Sequence, residues 1–326
     1  MTDAARPAHS AVRTGLALVL FAVLAISVND MVVKLLSGGY PLHQLVFLRS
    51  VVGLCFALVF LRLEGGFPLL RTRRPLLHAL RALAIVVANM TYFAAVSVLP
   101  LGLATGLFFV APLFITLLSV PVLGATVGPR RLFAVLLGLL GVAVMVSADV
   151  ALPTGTSPVV FALPVAAAFC YAVMQVLTSK LGAESRASAM SIYIHVTFLF
   201  VSAAMFLVAG DGRFAEGVAD ESLVFLLRAW TWPAAEDAWL FLVIGGLAGV
   251  IGYALSQAYR LGPPAVLAPF EYVALPMAMF WGWQVFGEVP GPRVWIGSAL
   301  IVGAGVYVFL REGGGDRPAA RVGTRR

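Results

Sequence analysis

The chain has 326 residues, of which 61% are hydrophobic and 11% charged, with a mean hydropathy of +0.99. A soluble domain carries about 25% charged residues, so this composition excludes an ordinary soluble fold and points to an integral membrane protein. The net charge of +7 reads as a topology signal and an attraction to anionic lipid, not as a nucleic-acid footprint.

Apolar runs of about 20 residues, each long enough to cross roughly 30 Å of hydrocarbon, recur along the chain. They are continuous rather than alternating, which predicts helices and not a barrel. The predicted spans are 15–36, 43–61, 76–97, 101–122, 131–148, 158–179, 189–209, 237–259, 264–286 and 293–310. The first is too long, and too poorly followed by a cleavage site, for a removed signal peptide. Residues 1–13 form a tail, 149–157 a linker, 210–236 an acidic loop, and 311–326 a basic, Gly/Pro/Arg-rich tail expected to be disordered. With the N-terminus inside, the inner segments collect most of the Lys and Arg, and Arg213, Arg228 and Arg293 fall outside. Both termini are therefore expected in the cytoplasm. The two cysteines, Cys55 and Cys170, lie in apolar runs and read as small buried hydrophobes.

The chain writes its pattern twice. Asn29, Lys34 and Arg49 recur as Gln175, Lys180 and His195 at an offset of 146. Pro100 and Pro112 recur as Pro264 and Pro276 at an offset of 164, and Gly128-Pro129-Arg130 as Gly291-Pro292-Arg293 at 163. The long loop accounts for the growing offset. Two copies of five spans each, 14–148 and 158–310, must enter the membrane from opposite sides. The expected fold is an all-α membrane protein of ten transmembrane helices in two five-helix inverted repeats, an architecture that lets a central site open to either side in turn. Pro112 and Pro276 are expected to kink their helices.

Two five-helix halves, short loops, Lys34 ending the first helix, Arg49 in the second, and Gly287-Glu288 after a proline-bearing ninth helix resemble the drug/metabolite transporter superfamily, in its EamA-type ten-helix branch. The first half departs from the second in reading Gly124-Ala125 where the second has Gly287-Glu288. The segment from Ser27 to Ser50 is also similar to members associated with riboflavin uptake in bacteria. The resemblance implies a non-enzymatic secondary transporter of a small organic solute in the bacterial cytoplasmic membrane, driven by a proton or an exchanged solute.

Ionisable groups within spans are costly and read as functional by default. Arg49 and Glu271 each lie about 10 Å deep, at 1.5 Å per residue, from opposite faces. They read either as a solute-binding pair or titrating charge, or as an ion pair that locks helices. Asp30 and Lys34, four apart on one helix face, read as a local pair or as solute contacts. His195 is a proton carrier or a packing residue, and Asn89 and Gln175 bond across helices or touch solute. Phe270 and Tyr272 lie too deep for an aromatic belt and suit a flat solute. The sequence offers no ATP-binding loop, no metal motif and no cofactor motif. Alternatives are an amino-acid or metabolite exporter of the same family, and a membrane-embedded lipid-handling protein or enzyme.

Overall fold

The computed structural model describes residues 6–124, 129–147, 156–182, 184–262 and 267–312. Most of the expected linker 149–157 and the tail beyond residue 312 lie outside them. The regular elements among the described residues are all helical: α1 (Arg6–Leu36), α2 (Leu42–Glu64), α3 (Pro75–Val96), α4 (Leu101–Phe108), α5 (Ala111–Leu123) and α6 (Pro129–Val146) precede α7 (Ala162–Leu181), α8 (Ala187–Ala209), α9 (Glu221–Leu227), α10 (Ala238–Leu261), α11 (Ala274–Phe286) and α12 (Pro292–Glu312). Seven helical stretches among them are long and apolar enough to cross a membrane, and α6 and α12 contribute shorter apolar runs. The chain is a multi-pass membrane protein.

Two expected spans are not the single kinked helices predicted. Between Leu101 and Leu123 the helix breaks at Phe109 and Val110, and Pro112 sits in the first turn of α5. The second stretch begins as a 3-10 helix (Ala268–Val273) and becomes α11, with Pro276 in its first turn. Proline is tolerated at a helix start because the first N–H groups have no intrahelical acceptor anyway. Each proline therefore opens a second segment. α5 and α11 then stop alike, at Gly124 (φ 74) and Gly287 (φ 67), left-handed positions that glycine adopts without a Cβ clash.

Most of the extensive helix packing joins the first half of the chain to the second. α3 lies against α7 and α1 against α10, α2 packs on both α8 and α10, and α6 packs on α12. Exchanging the halves converts the α3–α7 contact into α10–α1, which is what a two-fold relation between them requires. The close approach of α10 to α2 uses Gly245 and Gly249. A Cβ at Gly249 would lie 2.9 Å from the Gly53 carbonyl, and one at Gly245 would overlap Val52.

The stretch expected as an acidic loop is ordered around the short helix α9. Asp220 caps α9, accepting hydrogen bonds from Ser222 N (3.0 Å) and from Ser157 N (3.0 Å). Burial alone would raise its carboxyl, but these hydrogen bonds outweigh it and hold it below the ordinary aspartate range. Phe225 is buried, and Trp230 packs on Phe206 with ring centroids 4.5 Å apart, whereas Trp232 is 95% exposed. Tyr40 donates to Asp237 (2.7 Å) and Arg228 to the Gly38 carbonyl (2.7 Å), tying this stretch to the α1–α2 connection.

Candidate functional site

A cavity lies where the halves meet, with about 1180 Å³ of space unfilled by protein, part of it continuous with solvent. Nine elements reach it: α1, α2, α3, α4, α7, α8, α10, the 3-10 helix before α11 and the first turn of α11. Its wall is mostly apolar and aromatic. Tyr92, Phe108 and Tyr171 form a run of tilted rings with centroids 5.1 and 5.3 Å apart. Such contacts stiffen a wall beyond the area they bury.

Six of the nine residues singled out from the sequence line this cavity: Asp30, Arg49, Asn89, Gln175, His195 and Glu271. Arg49 donates to Asn89 Oδ1 (2.8 Å), and its guanidinium lies over the Phe93 and Phe198 rings at 5.8 and 5.3 Å. Glu271 accepts from Tyr171 (3.1 Å) and Tyr259 (2.5 Å), and Gln175 donates to Tyr171 (2.6 Å). No ion pair joins Arg49 to Glu271 among the described residues. The two belong to separate networks that face one space.

Asp30 and Lys34 do not pair either. Asp30 accepts from Asn29 Nδ2 (3.1 Å) at the cavity. Lys34, one turn further on, meets Glu288 at 2.6 Å and donates to the Leu99 carbonyl at 2.6 Å. Glu288 in turn accepts from Leu101 N (2.8 Å). The reason is geometric: the α3–α4 and α11–α12 connections offer Lys34 a carbonyl and a carboxylate at its tip, so the side chain turns to them and not to Asp30. Phe270 and Tyr272 stand outside the lining. Phe270 is half-buried, and Tyr272 is buried with its ring edge-on to Phe109 at 5.5 Å. The 3-10 turn places Glu271 toward the cavity and carries its neighbours away from it.

Arg81 is the residue that reading the sequence passed over. It is 1% exposed and lines the cavity. Its Nε donates to Thr178 Oγ1 (2.6 Å), Nη1 to the Met190 carbonyl (3.0 Å) and Nη2 to Ser256 Oγ (3.0 Å), joining α3 to α7, α8 and α10. The rule that draws attention to Arg49, a charge inside an apolar span, applies to Arg81 equally. Tyr171 and Tyr259 carried no charge to flag them and resemble ordinary wall aromatics in a string of letters. Among the described residues, no cluster of His, Cys, Asp or Glu is placed to hold a metal ion.

Comparison with known proteins gives the site its context. Residues 13–147 match the EamA-like transporter family. The chain is 27% identical over 282 residues to a riboflavin transporter of Brucella anthropi, covering 86% of this chain and 92% of that protein. It is 27% identical over 268 residues to a riboflavin transporter of Vibrio cholerae, covering 81% of each. An S-adenosylmethionine uptake transporter of Rickettsia prowazekii is 22% identical over 302 residues, with 91% and 93% covered. Among the solved structures that match is a crystal structure with a TM-score of 0.64 at 20% identity over 93% of this chain and 97% of that one, a likeness of fold alone. Residues 13–147 are thus an EamA-like stretch, and the similarity to named transporters extends over most of the chain.

Proposed function

We propose that this protein is a secondary transporter that carries a small, planar organic solute of the flavin class through the cavity between its halves. The observation that carries the reading is the cavity itself, an aromatic-walled space at the junction of the halves, faced by Asp30, Arg49, Arg81, Glu271 and buried amides. Pockets of this kind, apolar with a few placed polar groups, suit flat amphipathic ligands. The relatives named as riboflavin transporters cover most of the chain and support that solute class.

The reading includes ten transmembrane spans in two inverted five-helix repeats, with both termini cytoplasmic, in a bacterial inner membrane. It is supported by the matching ends of α5 and α11 and by packing that is preserved when the halves are exchanged. Alternating access of the central site to the two faces follows from such a pair. A proton or counter-solute gradient supplies the driving force, since the sequence has no phosphate-cradling loop.

Expression in a bacterium that cannot make riboflavin tests this directly. Growth on low external riboflavin, with accumulation of labelled vitamin lost in Glu271→Gln and Arg49→Ala, is the expected result. Wild-type protein that reaches the membrane yet gives no accumulation sinks the flavin reading. Counterflow from loaded vesicles then separates an importer from an exporter of metabolites.

A further inference from the structure

We propose that the corner of the cavity formed by Arg81 and His195 is a subsite for the anionic or acceptor-rich edge of an aromatic solute. The proposal rests on reading the cavity as a solute site and says which end of the solute goes where.

Arg81 is a buried cation whose acceptors are all neutral: a threonine hydroxyl, a serine hydroxyl and a backbone carbonyl. No carboxylate lies within 4.0 Å of it among the described residues. A guanidinium carries five N–H donors. Three are used, which leaves one N–H on each terminal nitrogen without an acceptor. The cavity's carboxyls are engaged elsewhere, Asp30 by Asn29 and Glu271 by two tyrosines. A buried charge without a counter-ion is costly unless something supplies one, and the guanidinium fork matches planar oxyanions and carbonyl pairs.

His195 supplies an independent observation. It is 3% exposed and lines the same cavity, and neither ring nitrogen has a hydrogen-bond partner. Buried polar atoms are almost always satisfied, so a ring in the cavity wall with both nitrogens buried and unpaired is poised for a ligand. Arg81 reaches α10 at Ser256, and His195 faces α10 at Gly252, where a Cβ would lie 3.7 Å from Nε2. Those α10 positions are one turn apart, about 6 Å along the axis, a separation that the edge of a fused ring system can bridge. The tyrosine-bound Glu271 and the Asn29–Asp30 pair complete the lining, where they accept from the solute's hydroxyl or amino groups.

The test uses the purified full chain in lipid nanodiscs and isothermal titration of indole-3-carboxylate against indole-3-carboxamide, with riboflavin run alongside. Wild-type protein should prefer the carboxylate by about tenfold or more, the effect of one charge-assisted hydrogen bond. Arg81→Gln should abolish that preference, and Arg81→Lys should keep part of it, since charge survives but the fork does not. His195→Ala should weaken carboxylate binding severalfold with a smaller fall in unfolding temperature than Arg81→Gln, which covers the case in which Arg81→Gln destabilises the helices it joins. Equal or absent binding of the acid and amide by wild-type protein overturns the proposal, as does a preference that survives in both Arg81→Gln and His195→Ala. Failure of riboflavin to bind while the carboxylate preference stands removes the flavin reading and leaves the subsite in place.

Discussion

Two charged contacts between helices, one at Lys34 and one at Arg81, are built on opposite principles. Where α1 ends, Lys34 meets Glu288 in an ion pair whose side chains are 10% and 23% exposed, and the Phe286 ring lies 5.2 Å from the ammonium. Where α7 approaches its end, Arg81 is buried and spread over three neutral acceptors on three other helices. Near water a matched pair of charges is of modest net value and opens easily. Deep in the bundle, the single guanidinium organises four helices, and losing it leaves several groups unsatisfied together. The halves do not share the first device. Lys180, which repeats Lys34, is exposed, and the first half has Ala125 where Glu288 would be needed.

Arg81→Ala should show the largest effect. It removes three charge-assisted bonds and leaves a void, at a cost of about 3 kcal/mol or more. Thermal unfolding in detergent measures this, and a loss under about 1 kcal/mol would mean that the clamp is incidental. Gly53→Ala comes next. A Cβ there would lie 2.5 Å from His195 Cε1, so the ring must shift, at about 1–3 kcal/mol for overpacking and with weakened solute binding. Unchanged binding in that variant would separate His195 from the solute.

Lys34→Met should cost about 1 kcal/mol, between the exposed and buried limits for ion pairs. The double variant Lys34→Met/Glu288→Gln should lose less than the sum of the single changes. Strict additivity would show that the pair contributes nothing as a pair. Smallest of all is Glu184→Gln, which breaks the Arg74–Glu184 contact between side chains 42% and 44% exposed. Its effect should stay within about 0.5 kcal/mol, and a larger one would place that contact in the clamp's network.

Much of this architecture is legible one residue at a time. Hydropathy marks the apolar segments because a bilayer demands length and a satisfied backbone. The paired glycines after α5 and α11 announce helix ends because a left-handed residue is needed there. The repeated prolines mark a discontinuity in each half, although as helix starts instead of kinks. Charges within spans point to the cavity, and six of the nine residues chosen on such grounds do line it.

What the chain's own letters could not decide is which groups meet. Arg49 faces Asn89 and not Glu271, Lys34 reaches Glu288 and not Asp30, and Arg81 draws its partners from α7, α8 and α10. Spacing along a helix says which residues share a face. The partner on that face comes from another helix, and here mostly from the other half of the chain, so only the packing of the halves selects it. The same holds for Tyr171 and Tyr259, ordinary aromatics until the fold brings both hydroxyls to one carboxyl.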